Sequence, residues 1–600
     1  MRKLLLTFSA VLLFVCVTAQ PPTDPRLKGL DTFALKVLKD WHAAGVTVAV
    51  VEKGKVVYTG GFGYRDVDKK LPVTENTQFA IGSCTKAFTA SILGMLEKDG
   101  KLNIDKPVRT YLPELKFQNE YTNDHCTLRD MMCHRTGLPR HDLSWYASWA
   151  SRNELLERIQ YMEPTAELRA KWQYNNFMFL SQGVVIEKIT GKSWEENMMQ
   201  RILKPLGMDN TNLSTNDMEK STDHSLAFVS TDSSLKSIPY RNIDAMGPAG
   251  SVNSCAKDMA KWLITWINNG KYNGKEIFPS SYRNDAITIQ MAMGGGTPGE
   301  DNPDVHISGY GLGWMISSYR GHYRVEHGGG IDGFITTTGF FPSDSIGIFV
   351  SSNQGGVSTS IRNFIADRML KLPYRNWNKM QLDGVKKAKD AAKAMQKNDS
   401  IGHKFNTKPS HELKDYAGTY KNTGYGSIEI TMKDGGLVSK FNMIDIRLDH
   451  FHYDQFNAVI LDPALQGGEP IRFSFHNDVS GDISKLTVPF EDGVKDIEFI
   501  KETKALAVNK ADLDKYVGDY EFAAAPGKFA KFYVKGDKTL YAFIEGQPEY
   551  ELVPTDKNKF ELKVMKGYNV AFEENVKGEI VSASFVQPNG TFKAKKKNHD

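Results

Sequence analysis

Ser83 and Lys86 stand three residues apart in Phe79-Ala80-Ile81-Gly82-Ser83-Cys84-Thr85-Lys86, immediately before the apolar run Ala87 to Leu96. If that run is a helix, both side chains fall on one face about a turn apart. A serine hydroxyl is a poor nucleophile until a base takes its proton. A lysine serves as that base when burial and nearby positive charge lower its pKa. The helix start adds free backbone N–H groups and a positive dipole end, which suit a developing oxyanion. The chemistry on offer is acyl transfer through a covalent serine intermediate.

Spacing alone does not single out this pair. Ser-x-x-Lys recurs at Ser233/Lys236 and at Ser254/Lys257, and the last copy also opens an apolar stretch, Met259 to Ile267. An isolated match is ordinarily a capping serine followed by a solvated lysine. A tyrosine that relays a proton, with an asparagine that orients the acyl part of a substrate, would complete such a site. Tyr-x-Asn occurs at Tyr121, Tyr174, Tyr240, Tyr282, Tyr374 and Tyr420. Tyr174-Asn175-Asn176 differs in context, because Trp172 precedes it and it opens the apolar segment from Phe177. His327-Gly328-Gly329-Gly330 is the third candidate, a histidine on a strand whose glycines permit close backbone approach.

These residues need elements to hold them. Asp31 to Ala44 reads as an amphipathic helix, followed by strands Val46–Val51 and Lys55–Tyr58 around Lys53-Gly54 and a loop from Gly60 to Lys70. Residues 100 to about 245 carry helical segments, including Phe177 to Ile189 ending at Gly191. Strands return at Gly309–Ile316, Tyr323–Glu326, Thr336–Phe341 and Ser345–Ser351, with a helix near Ile361 to Lys371. The fold class expected is α/β in the α+β sense, an antiparallel sheet flanked by helices plus a helical subdomain. Residues 376–410, rich in Lys, Ala and Asp, suit a solvated helical linker. Beyond it Leu413-Lys414-Asp415-Tyr416-Ala417-Gly418-Thr419-Tyr420 recurs as Leu513-Asp514-Lys515-Tyr516-Val517-Gly518-Asp519-Tyr520. Two related all-β, barrel-like units follow, 411–505 and 506–600.

Length and composition bound the rest. A chain of 600 residues, 40% hydrophobic, holds more than one domain. A net charge of +4 gives no reason to expect a nucleic-acid partner. Met1-Arg2-Lys3, the apolar run Leu4 to Val17 and the small residues before Gln20 read as a signal peptide over 1–19, hence a periplasmic or secreted protein. No other run is long enough for a membrane span. Cys84, Cys126, Cys133 and Cys255 are too scattered for a disulfide framework. His125-Cys126 and Cys133-His134 would lie roughly 12 Å apart on a helix, too far to share one ion, so no metal and no cofactor is expected.

Taken together and in order, Ser83-x-x-Lys86, Tyr174-x-Asn176 and His327-x-Gly329 resemble the class C β-lactamase, penicillin-binding protein and esterase family. Thr127-Leu128-Arg129, His134-Arg135-Thr136-Gly137-Leu138-Pro139, Pro205-Leu206-Gly207-Met208, Gly247-Pro248-Ala249-Gly250-Ser251 and Tyr310-Gly311-Leu312-Gly313-Trp314 resemble it too. The resemblance covers roughly residues 30 to 370, within a hydrolase domain of 20–375, and implies a β-lactamase/transpeptidase-like fold. It makes Ser254 a decoy on a structural helix. It implies Ser83 as the acylated nucleophile, Lys86 as its base and Tyr174 as the proton shuttle. It further implies Asn176 on the acyl side, with Ser83 and Gly330 N–H groups as the oxyanion hole. His327 stands where many relatives carry the lysine of Lys-Thr-Gly, a departure that points away from efficient β-lactam turnover. His327, Gly329 and Gly330 are expected to bind substrate, and His141 to line the pocket. Ser-Asp-Asn is absent, so the class A pattern does not apply. The C-terminal units resemble lipocalin-like modules.

The resulting expectation is an exported serine hydrolase acting on peptides with D-residues, amides, esters or β-lactams. An acyltransferase using an alcohol or amine acceptor and a non-turnover cell-wall-binding protein are the alternatives. The partner expected is a small-molecule or peptide substrate, and the oligomeric state is left open.

Overall fold

A computed structural model describes residues 24–597, apart from 231–234, 294–297, 300–303, 305, 355, 399–401, 463–464, 466–470, 480, 503–507, 537–538, 564–567 and 588. The expected signal peptide over 1–19 and Ser233 therefore lie outside the described residues. A nine-stranded antiparallel sheet forms the base of the first domain. Its order runs from Met291–Ala292 through Ser308–Tyr310, Met315–Tyr319, His322–Ile331, Phe334–Phe341 and Ile346–Ser352 to Gly45–Glu52, Lys55–Asp66 and Leu71–Pro72. The N-terminal strand thus sits beside Ile346–Ser352, with Val48 opposite Val350.

The strand Lys55–Asp66 runs through the glycines expected to form a loop. These glycines serve packing. A Cβ on Gly61 would lie 2.3 Å from Val73, and one on Gly63, at φ 73°, would lie 2.3 Å from the Ala44 carbonyl oxygen. One helix layer, Leu30–Asp40 and Val357–Met369, covers one face, with Phe33 stacked on Phe364. The other face supports the Thr85–Lys98 helix, whose residues Thr85 to Leu96 are all buried. An all-round apolar sequence demands such a central position. Phe88, Ile92, Leu93, Met95 and Leu96 together contribute about 10 kcal/mol by leaving water. Phe88 stacks on Trp262 at 3.9 Å.

Helix Asn176–Thr190 crosses nearby. The Asn175 side chain caps its start through the Met178 N–H, and Gly191 ends it in the left-handed region at φ 67°. A Cβ on Gly183 would come within 2.2 Å of Pro248, so the Gly247–Gly250 turn packs directly on this helix. The linker region is a helix, Trp377–Asn398, whose first turn is anchored: Trp377 is buried and its indole N–H donates to Asp367.

Both C-terminal units are closed barrels of eight antiparallel strands, from Gly418–Asn422 to Ile497–Lys501 and from Gly518–Phe522 to Gly590–Lys596. Their interiors are filled by side chains: Tyr416, Tyr420, Phe441, Phe456 and Phe475 in the first, Tyr516, Tyr520, Phe532, Phe560 and Phe572 in the second. The repeated tyrosines play one role twice. Tyr420 donates to the Tyr416 carbonyl at 2.8 Å, and Tyr520 to that of Tyr516 at 2.9 Å.

Candidate active site

Ser83 lies in the one-turn 3-10 helix Gly82–Cys84 that runs into Thr85–Lys98. A short ladder, Phe79–Ala80 against Asn253–Ser254, fixes the approach to it. This ladder uses Ser254 as backbone support. Its hydroxyl is buried and pairs with Thr211 at 2.8 Å, and Thr211 in turn donates to Asp258 at 3.0 Å. On the other side the turn meets the strand His322–Ile331. A Cβ on Gly329 would overlap the Ile81 carbonyl oxygen at 1.9 Å and approach the Ser83 amide at 3.1 Å. Gly329 is buried against this turn, whereas Gly330 is exposed to the cleft. Gly329 thus permits close packing of the strand on this turn, and of the two glycines it is Gly330 that lines the cleft.

Lys86 has no exposed surface. Its Nζ lies 2.8 Å from Asn176 Oδ1, 2.8 Å from the Ala249 carbonyl oxygen and 3.0 Å from Ser83 Oγ. Burial drives its pKa well below the ordinary lysine value; the Asp142 carboxylate opposes that shift and Arg140 assists it. A neutral amine has two N–H groups and one lone pair. The Asn176 Oδ1 and the Ala249 carbonyl oxygen can only accept, so in that form they take both N–H groups. The lone pair is left to receive the Ser83 O–H.

Tyr174 is half-buried, with Lys86 Nζ 4.8 Å and the Arg140 guanidinium 5.0 Å from its ring centre. Its hydroxyl pairs with Ser83, and burial raises its pKa, so it is a neutral phenol at rest. Among the other Tyr-x-Asn copies, Tyr121 and Tyr374 are exposed, and Tyr420 is in a barrel core. Asn176 links Asp142 to Lys86: its Nδ2 donates to Asp142 Oδ1 at 2.9 Å while its Oδ1 faces Lys86.

His327 does not face the cleft. Its ring is 1% exposed and lies behind Tyr174, ring centres 6.1 Å apart. Nδ1 donates to the Gly328 carbonyl at 2.6 Å, so Nε2 accepts from the Tyr310 hydroxyl at 2.8 Å. Burial lowers its pKa to about 4, which leaves it neutral at pH 7. A neutral imidazole turned to Tyr310 offers the cleft no positive charge.

His141 does not line the cleft either. It is buried, with Nδ1 on the Tyr425 hydroxyl of the first barrel at 2.6 Å and Nε2 on the Glu163 carbonyl at 3.0 Å. Its neighbours Arg140 and Asp142 line the cleft instead, and reading the residues alone missed both. The available signal was a charged pair directly after Leu138-Pro139. His134, weighed with Cys133 and set aside as a metal pair, is buried beneath Tyr174, ring centres 4.3 Å apart. No group of three or more His, Cys, Asp or Glu side chains placed to hold a metal ion occurs among the described residues.

The cleft has a volume of about 390 Å³ and opens above Ser83. Trp145, Tyr146, Ile243, Met246 and Ile331 give it apolar walls, Arg140, Asp142 and Asp332 its charges, and Leu465 of the first barrel closes one side. A family model described as beta-lactamase matches residues 31–367, more than half of the chain. The chain belongs to the beta-lactamase family. A second model, a domain of unknown function (DUF3471), matches residues 403–501, the first barrel. An unguisins hydrolase from Aspergillus campestris is 32% identical over 391 residues, 62% of this chain and 71% of that protein. One from Aspergillus violaceofuscus is 25% identical over 493 residues, 73% and 84% of the two chains. The octameric penicillin-binding protein homologue from Pyrococcus abyssi superposes with a TM-score of 0.52 at 21% identity, covering 79% of this chain and 99% of its own. That likeness shows the shared fold. Among the described residues no helix is long and apolar enough to cross a membrane.

Proposed function

We propose that this beta-lactamase-family chain is an exported serine hydrolase that works through an acyl-enzyme on Ser83. The observation that carries the reading is the buried Lys86 amine, held by two acceptors with its third contact on Ser83 Oγ. In the first half-reaction Lys86 takes the Ser83 proton while Oγ attacks the substrate carbonyl. The oxyanion forms beside the N–H groups of Ser83 and Gly330. As the intermediate collapses, the scissile bond breaks, and Tyr174 passes a proton to the departing amine or alcohol while Lys86 replenishes it. Water then enters, gives its proton to the same pair and releases the acid, restoring Ser83.

A neutral His327 leaves the cleft without a lysine-like anchor on that strand. The apolar walls favour amide and ester substrates with a bulky acyl side, D-residue peptides among them. The hydrolase names of the fungal relatives support turnover by water. Fluorophosphonate labelling followed by intact-protein mass spectrometry tests the reading. Wild type is expected to gain one adduct and Ser83→Ala none, with Lys86→Ala slowed about 100- to 10,000-fold. A Ser83→Ala protein that still labels would overturn the assignment.

A further inference from the structure

The first barrel is docked onto the cleft through the segment 139–147. Ala147 belongs to the barrel's own hydrophobic cluster, with Leu143 and Tyr146 packed against it. Ser144 Oγ donates to the Gly424 carbonyl at 2.5 Å, and the Met443 amide donates to the Ala147 carbonyl at 2.9 Å. One contact has a different character. Glu491, in the barrel's 489–496 connection, accepts the Arg140 amide on Oε1 at 3.1 Å and the His141 amide on Oε2 at 2.6 Å. Both carboxylate oxygens are spent on consecutive main-chain N–H groups, and His141 is held in the left-handed region at φ 49°. A non-glycine residue stays there only when its surroundings over-determine it.

What this grip fixes is the pair of side chains that flank His141. Arg140 is thereby placed over the Tyr174 ring, and Asp142 on Asn176 Nδ2. Asn176 in turn takes a Lys86 N–H, and Lys86 faces Ser83. With His327 neutral and turned to Tyr310, Arg140 is the permanent cation beside Tyr174.

We propose that Glu491, carried by the domain of unknown function, is a positioning residue of the hydrolase site, gripping the Arg140 and His141 amides so that Arg140 and Asp142 meet Tyr174, Asn176 and Lys86. The proposal rests on the serine hydrolase reading for its catalytic consequence. Partial burial raises the Glu491 pKa, and the hydrogen bonds from the His141 and Arg140 amides oppose that shift.

Two measurements on the full chain test it. Hydrogen exchange reads the grip directly: Glu491→Gln, which can offer only one oxygen, should speed exchange at Arg140 and His141 about 10-fold. Fluorophosphonate labelling reads the consequence: Glu491→Gln should acylate about 10-fold more slowly. Combining it with Asp142→Asn should then cost less than the product of the two single losses. A purely structural brace would give the single losses multiplied, which overturns the proposal, as does unchanged exchange at residues 140 and 141. Should Glu491→Gln melt below the assay temperature, Glu491→Asp carries the same cycle. If wild type does not label at all, the hydrolase reading fails, and the exchange result alone decides the grip.

Discussion

The two barrels share a fold, a repeat and a tyrosine hydrogen bond, yet they stand in different relations to the hydrolase. In the first, the hairpin after the repeat is Asn422-Thr423-Gly424-Tyr425-Gly426. Gly424 and Tyr425 bond to Ser144 and His141. The corresponding stretch of the second, Ala523-Ala524-Ala525-Pro526-Gly527, is exposed. The last two strands of the first barrel are joined by residues 489–496, which carry Glu491, whereas in the second only 588–589 separate them. Hydrogen bonds of the second barrel, such as Tyr516 to Asn558 and Ser582 to Glu573, close within it. Its core cluster draws on residues 508–594, while that of the first reaches into Leu143, Tyr146 and Ala147. A barrel becomes part of an active site through its connections, with its closed wall unchanged.

The strongest way to break this comparison is truncation. Ending the chain after Glu502 removes the second barrel and keeps the Glu502 amide bond to Thr419. Acylation is expected to stay within about twofold of wild type, because no contact invoked for the site is lost. Ending it after Asn398 also strips Glu491, Tyr425 and Gly424 from the 139–147 segment, and each such bond contributes about 1 kcal/mol. Labelling should then fall about 100-fold or more. Equal losses in the two truncations would erase the distinction.

Point substitutions at the shared tyrosine sharpen it further. Tyr420 and Tyr520 are both fully buried. Replacing either with alanine should cost its own barrel about 3–5 kcal/mol. Thermal melts and labelling rates on the same samples separate stability from function. Tyr420→Ala should lower both, and Tyr520→Ala only the former.

Much of this arrangement was legible in the residues because the information is local. Ser83 and Lys86 share a helix turn, Tyr174 and Asn176 a helix start, and the repeated Leu-x-x-Tyr-x-Gly-x-Tyr segments announce two similar units. Orientation across a strand was not local. His327 points to Tyr310 and Gly330 to the cleft because pairing with Thr338 and Ile335 sets the register, and an alternating strand sends neighbours to opposite faces. Glu491 was illegible for a stronger reason. It meets His141 across 350 positions of sequence, and only the docking of one domain on another brings them together. Gly60, Gly61 and Gly63 read as a loop because glycine suits both turns and tight sheet packing, and sequence does not say which neighbour demands the space.

The mildest test uses acid. His327 is held near pKa 4, against an ordinary value near 6.5, because it is buried. Burial also lowers the pKa of His134 and of His141 at the barrel interface. Below pH 6.5 the unfolded chain binds a proton that folded His327 refuses, so stability is intact above that point and drains as pH falls toward 4. The full drain from His327 is about 3 kcal/mol, and about 2 kcal/mol of it falls between pH 6.5 and 5. The second unit, residues 506–600, has one histidine, His599, which lies beyond its last strand Gly590–Lys596 and outside the described residues. Its Glu574 has a pKa lowered to about 2 by hydrogen bonds from Asn558 and Lys515, so it stays ionised in this window. Calorimetry at pH 7 and pH 5 should therefore show the hydrolase transition moving down, with the docked first barrel following through His141. The second barrel's transition should stay in place, and His327→Gln should reduce the hydrolase shift, leaving the part that His134 and His141 contribute. If both transitions fall together, the second barrel is coupled to the hydrolase after all, and the contrast drawn from its connections is wrong.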